Sequence, residues 1–269
     1  MLTLNERPRG RVLLATTEIP AEYHVDRLHW WTTNSPSWSA HIDADQNRGA
    51  LLAKLARRAS ELMDPTKAAV VADLGCGEGA FLRAFAGIAP YASLHGIDFC
   101  TAMLTEARRR SGGLNATYAL GDLEEPDFKP PCSADLVTSI LAMDEMDQLD
   151  RAFRNIAKIL VPGGVALLVV MDPVGEMERN RQDIEASLGD RARPDDAILV
   201  VKTFPRTDLE PAAPYSRIVR PLTQYTAAAT AAGLRTEAIE QWTHTVGIGS
   251  YSGTLFFDLL FFKNTDERR

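Results

Sequence analysis

Three carboxylates stand in regular relation to a glycine-rich loop: Asp73 leads into Gly75, Gly77 and Gly79, and Asp98 and Asp122 follow downstream. Residues 70–80 read VVADLGCGEGA, an apolar run that meets an acid and then the loop, with Cys76 inside it. A short buried strand ending at Ala72 is expected to deliver Asp73 and the loop to the C-terminal edge of a sheet, where open α/β proteins bind their ligands. The loop glycines lack Cβ and tolerate positive φ, so backbone there can approach a ligand closely.

Carboxylates around one loop suit a cation better than a phosphate, because a pyrophosphate favours bare N–H groups at a helix N-terminus. A ligand with an amino group, a sulfonium centre and two ribose hydroxyls can use an acidic rim, which points to S-adenosylmethionine. Asp98 closes the stretch HGID about 20 residues beyond the loop, where a ribose-binding acid is expected. Charged hydrogen bonds to the ribose are worth roughly 1.5–3 kcal/mol each. The loop alone is not decisive, since Gly75, Gly77 and Ala80 also satisfy the G-x-G-x-x-G/A dinucleotide fingerprint. A nicotinamide oxidoreductase is therefore the rival reading of the loop.

Downstream context separates the two. Residues 118–122 (YALGD) place another acid after a third strand-like segment, and residues 135–142 (DLVTSILA) give a fourth. A helical stretch at 148–160 runs through Val161, Pro162, Gly163 and Gly164 into the apolar run 165–171. Residues 254–263 (TLFFDLLFFK) form a long final strand whose apolar density requires burial on both faces. Together these features resemble the class I S-adenosylmethionine-dependent methyltransferase family, well over residues 68–171 and moderately at the C-terminus. The resemblance implies an α/β fold, a Rossmann-like doubly wound seven-stranded sheet whose last strand inserts antiparallel between strands five and six. It implies S-adenosyl-L-methionine as cofactor, with Asp73, Gly75, Cys76, Gly77 and Gly79 around the methionine end. Asp98 then receives the ribose with Phe99 against the adenine, and Asp122 and Leu123 reach the adenine amino group and ring.

Composition narrows the partners. The chain has 269 residues and a net charge of −7, and its one basic run, Arg108, Arg109 and Arg110, falls at the end of a helix begun near Thr101. Nucleic-acid binding normally needs a basic face, so no nucleic-acid partner is expected. Cys76, Cys100 and Cys132 lack CxxC spacing, which favours a reduced compartment, and no signal-peptide or bilayer-length apolar run is present. The reading is a cytoplasmic enzyme with a small-molecule substrate, no membrane or metal partner, and a homodimer as the one assembly kept open.

Four regions are expected: an N-terminal lid or cap segment at 1–48, a cofactor-binding core at 49–171, an insertion at 172–220 as candidate substrate cap, and the rest of the core at 221–269. The first region is dense in aromatics and histidine, including Tyr23, Trp30, Trp31 and Trp38, and reads either as a mobile lid or as a hydrophobic staple. Tyr23, Trp31, Trp38 and Met143 are candidate substrate contacts. His24 and His29 lie five apart, wrong for two ligands on one helical face. A helix is expected through Leu51, Leu52, Leu55, Ala59 and Leu62, and another from about Leu222 to Ala232 with Thr223 as N-cap.

Methyl transfer from a sulfonium requires alignment and water exclusion, effects that supply about 7–11 kcal/mol, and needs a base only if the acceptor must lose a proton. Asp144 and Glu145 follow the fourth strand and so are the candidate catalytic acids, with helix capping as their alternative role. Residues 143–147 (MDEMD) are not the Asp/Asn-Pro-Pro-Tyr motif of DNA and RNA amino-methyltransferases. The expectation is methylation of a small molecule in natural-product or secondary metabolism, against a non-catalytic regulatory protein that only binds the cofactor.

Overall fold

The computed structural model describes residues 11–15, 26–64, 67–193, 195–203, 214–248 and 251–265. In chain order the elements are β1 (Arg11–Leu14), α1 (Arg27–Asp43), α2 (Arg48–Ser60), β2 (Val70–Leu74), α3 (Ala80–Ala86), β3 (Ser93–Asp98), α4 (Thr101–Arg110), β4 (Ala116–Leu120), β5 (Ala134–Ile140), α5 (Leu149–Ile159) and β6 (Leu160–Met171). They continue with α6 (Pro173–Arg179), α7 (Arg181–Leu188), β7 (Ile198–Thr203), β8 (Pro214–Val219), α8 (Leu222–Ala231), β9 (Leu234–Ile248) and β10 (Tyr251–Asn264). Their patterning explains them. In α5, Leu149, Ala152, Phe153, Ile156 and Ile159 recur near a 3.6 period and are buried.

Seven strands form the main sheet in the order β4-β3-β2-β5-β6-β10-β9. The first five are parallel, so the ends of β2, β3, β4 and β5 all emerge at one edge. β10 runs antiparallel between β6 and β9, pairing Leu260 with both Leu168 and Ile239. This is the topology expected from the resemblance. Alternate side chains of β10 enter opposite cores: Leu260 and Phe262 pack under α5 and α8 with Phe153 and Tyr225, while Phe257, Leu259 and Phe261 pack with Leu55, Ala59 and Phe85 of α2 and α3. Each large apolar side chain buried in this way is worth roughly 1.5–3 kcal/mol.

A second sheet joins sequence-distant pieces. β1 pairs antiparallel with β7, which pairs with β8, so the N-terminal segment and the 172–220 region share one three-stranded sheet. Val12, Ile198, Val200 and Val219 cover it on α7 through Ile184 and Leu188. Two local expectations are corrected. Thr223 lies inside α8 and Pro221 holds the N-cap position, its fixed φ (−54°) suiting a helix entry. Asp73 sits within β2 rather than after it.

Helix α1 was not expected from sequence. It holds Pro36 in its interior and shows little amphipathy, and it packs on α4 beside the edge where β2, β3 and β5 end. No helix among the described residues is long and apolar enough to cross a membrane.

Candidate active site

The glycine loop is a backbone device. Gly75, Gly77 and Gly79 hold φ of +66°, +53° and +75°, a region that costs an L-residue about 1–2 kcal/mol. Two of the three are also sterically closed: a Cβ at Gly75 would lie 2.4 Å from the Cβ of Ala142, and one at Gly79 would lie 2.5 Å from the Tyr118 hydroxyl. Gly77 differs, because a Cβ there meets nothing within 4 Å. The loop's open side is therefore at Gly77. The Gly75 and Cys76 amides donate to the Ile97 carbonyl at 2.8 and 3.1 Å, fastening the loop to the end of β3.

Asp98 completes that fastening. Its carboxylate accepts from the Gly77 amide at 2.8 Å and from the Cys100 amide at 2.8 Å. Burial raises its pKa, opposed by the Cys100, Gly77 and Phe99 amides. With three amides directed at it, the carboxylate keeps one lone-pair site for a further donor, as a ribose hydroxyl would supply. Asp73 is also buried, and its carboxylate accepts from Thr138 Oγ1 at 2.7 Å. Burial pushes Asp73 up to about 7, the Thr138 bond pulls it down, and the Asp98 charge raises it further. Both acids lack a cation among the described residues.

Asp122 is exposed after β4 and turns its carboxylate onto the Glu124 amide at 2.8 Å, while Leu123 is buried beside it. Phe99 is half-buried at the end of β3. The structure thus gathers Asp73, the loop, Asp98, Phe99, Asp122 and Leu123 along the ends of β2, β3 and β4. Sequence reasoning missed what braces them. Glu78, inside the loop, is buried among Arg48 of α2, Arg83 of α3 and Arg110 of α4 at 2.9, 3.6 and 3.1 Å. Its oxygens make no aligned hydrogen bond, so these are contacts of charge. Arg110 therefore does more than end α4, since it also reaches Asp43 at 2.7 Å.

After β5 the chain turns through Leu141, whose φ of +59° is the one positive value among the described non-glycine residues. Residues Met143–Glu145 then form a 3₁₀ turn. Met143 is fully buried with Leu74, Val137 and Val170, so its side chain has no surface to offer a substrate. Asp144 accepts from the Met171 amide at 3.1 Å and the Tyr225 hydroxyl at 3.0 Å, which ties the turn to β6 and α8. Burial raises its pKa; Met171, Arg217, Tyr225 and Arg220 lower it. Neither acid caps α5: the cap position belongs to Gln148.

Glu145 faces the other way. It accepts from Trp31 Nε1 at 2.7 Å and from the Tyr215 hydroxyl at 2.6 Å, joining α1 and β8 to the core. The residue keeps some accessible surface, but its carboxylate lies within the protein envelope, and that desolvation pushes it up to about 7. Tyr215, Trp31 and Arg27 oppose the shift, and Asp144 adds to it. Trp30, Trp31, Trp38 and Tyr215 form one aromatic group, with ring centroids 4.9–6.2 Å apart. Arg27 closes α1 onto the core through Glu124 at 2.8 Å and Asp147 at 3.0 Å. Tyr23 lies outside the described residues. Tyr215 escaped sequence reasoning; the signal available was a tyrosine opening the strand-like run that follows the insertion.

Comparisons with known proteins bear on the fold and the domain. A family model described as a methyltransferase domain matches residues 71–164. A malonyl-[acyl-carrier protein] O-methyltransferase of Halorhodospira halophila is 28% identical over 160 residues, 58% of this chain and 53% of that protein. A dTDP-4-amino-2,3,4,6-tetradeoxy-D-glucose N,N-dimethyltransferase of Saccharopolyspora spinosa is 35% identical over 100 residues, 36% of this chain and 38% of that one. The chain spans about half the length of the first curated relatives it matches. The structure of the CcbJ methyltransferase from Streptomyces caelestis superposes with a TM-score of 0.62 at 13% identity, over 90% of this chain and 100% of that one. Its likeness carries the fold. The open glycine, the two cation-free buried acids and the strand order fit S-adenosylmethionine, residues 71–164 match a methyltransferase domain, and the chain is similar over that core to S-adenosylmethionine-dependent methyltransferases.

Proposed function

We propose that the protein transfers a methyl group from S-adenosylmethionine to a small-molecule acceptor in natural-product metabolism. The observation that carries this is the pairing, at one sheet edge, of an acid-rimmed loop with a desolvated carboxylate, Glu145, set among aromatic rings. Relatives named for aklanonic acid and nocamycin methylation support the substrate class. Named relatives include both O- and N-methyltransferases, so kinship alone does not select the acceptor atom.

When bound, the cofactor supplies an electrophilic methyl group on a positively charged sulfur. The chain's own residues have three tasks. Gly75, Gly77 and Gly79 present backbone to the methionine end, with Asp73 set to face its ammonium. Asp98, Phe99, Asp122 and Leu123 hold the nucleoside. Trp31, Trp38 and Tyr215 exclude water at the acceptor side, where Glu145 is the base; Asp144 is a positioning residue that holds the turn carrying Glu145. We place the enzyme in the cytoplasm, without a nucleic-acid partner, and a homodimer is compatible with this role.

The test is turnover on a panel of small-molecule acceptors, read as conversion of S-adenosylmethionine to S-adenosylhomocysteine. Glu145→Gln is expected to lower turnover by about 10²- to 10⁴-fold with cofactor affinity intact. Full turnover by that variant would remove Glu145 from the chemistry.

A further inference from the structure

The surroundings of Glu145 are selective in charge. Arg27 acts on it and Arg217 and Arg220 act on its neighbour Asp144; Arg27 is paired with Glu124 and Asp147 and Arg217 with Glu176, while Arg220 donates to the Met146 carbonyl on the Asp144 side of the turn. The remaining groups that face Glu145 are Asp144, which repels it, and Tyr215, whose hydroxyl burial and the Glu145 charge keep protonated. Glu145, when ionised, has no salt bridge of its own among the described residues, and it sits at the polar edges of Trp31 and Tyr215, beside the ring group. Trp38 and Tyr215 are close to parallel, 25° apart with centroids at 6.2 Å, and Trp31 stands at 83° to Trp38 with centroids at 5.3 Å. Trp30 backs the group and is buried, whereas Trp31, Trp38 and Tyr215 keep accessible surface.

Ring faces attract a cation placed within about 6 Å of their centroids, and neutral hydroxyls gain nothing comparable. A second carboxylate brought to Glu145 would be repelled. We propose that Trp31, Trp38, Tyr215 and Glu145 form a subsite for a protonated amine, so that the methyl acceptor is an amine nitrogen. This deepens the methyl-transfer reading above and rests on it.

The subsite also performs the step an ammonium needs. An ammonium has no lone pair, so it first gives a proton to Glu145. The freed nitrogen pair then forms the bond to the methyl carbon as the carbon–sulfur bond breaks and its electron pair stays on sulfur. The sulfur ends neutral, the nitrogen ends positively charged and still suited to the rings, and Glu145 returns its proton to water. The two donors on Glu145 occupy one lone pair on each oxygen and leave the others for this exchange.

The experiment titrates the protein loaded with S-adenosylhomocysteine with choline, with its neutral isostere 3,3-dimethylbutan-1-ol and with the anion 3,3-dimethylbutyrate, read by indole fluorescence and calorimetry. Choline is expected to bind at least tenfold tighter than the alcohol. Glu145→Gln and Trp38→Leu should each cost choline about fivefold or more. Equal binding of choline and the alcohol, preference for the anion, or an unchanged choline affinity in Glu145→Gln would overturn the proposal. S-adenosylhomocysteine affinity, measured in the same samples before the amine is added, reports separately on the methyl-transfer reading. Thermal denaturation identifies any variant that fails to fold, and the preference of the parent protein for choline over the alcohol and the anion then carries the comparison.

Discussion

Replacing Gly77 by alanine separates the loop's fold from its contact with the cofactor. A Cβ at Gly77 meets nothing within 4 Å, so the cost to the fold is the left-handed backbone alone, about 1–2 kcal/mol. For a chain of this size that lowers Tm by roughly 2–6 °C. Gly75→Ala carries the same backbone cost and adds a 2.4 Å approach to the Ala142 Cβ, an overpacking of about 1–3 kcal/mol more. If the open side of Gly77 faces the methionine end of the cofactor, the new methyl falls where the ligand must lie. Calorimetry should then show S-adenosylhomocysteine affinity down at least tenfold in Gly77→Ala, which is about 1.4 kcal/mol, although this variant is the more stable of the two. Gly77→Ala that binds within twofold of the parent would refute the reasoning, because the open side would then face solvent and not the ligand.

Further predictions concern charge and closure. Asp73, Asp98, Asp144, Glu145 and Asp258 all have raised pKa values, Asp73 and Glu145 up to about 7 and Asp258 to about 6, chiefly through burial. A raised acid contributes stability that is complete below its unfolded pKa and is lost as pH rises through its folded one. Urea denaturation of the ligand-free protein should therefore show greater stability at pH 5.5 than at pH 8, and Asp73→Asn should flatten that slope. Thr138→Val removes the hydrogen bond that favours the charged form of Asp73, so it should move the Asp73 titration, followed by carboxyl NMR, to higher pH. Amides of α1 should gain hydrogen-exchange protection on addition of S-adenosylhomocysteine, and Arg27→Ala should reduce that gain by releasing Glu124 and Asp147.

What the sequence made legible was chiefly local. The loop announces itself because three positive φ values demand glycine, and the acids stand at strand ends, Asp98 closing β3 and Asp122 two residues past β4. β10 was legible because its apolar density admits burial on both faces only. Helix α1 was hidden by Pro36, which leaves the Thr32 carbonyl without its helical donor, and by a run of Thr, Asn and Ser with weak intrinsic preference for helix. The pairing of β1 with β7 joins Val12 to Val200, a contact that no local pattern announces. Asp144 and Glu145 are adjacent and chemically alike, yet one faces Met171 and Tyr225 and the other Trp31 and Tyr215. Only the 3₁₀ turn separates their roles.

The central claim, that the acid-rimmed loop is an S-adenosylmethionine site, is tested most directly by calorimetric titration of the parent protein and Asp98→Ala with S-adenosylhomocysteine, and of the parent with NADH. The account predicts one-to-one binding in the micromolar range for the parent, at least tenfold loss in Asp98→Ala, and no saturable heat with NADH. Equal affinity in the two proteins, or saturable binding of NADH in place of S-adenosylhomocysteine, would contradict it.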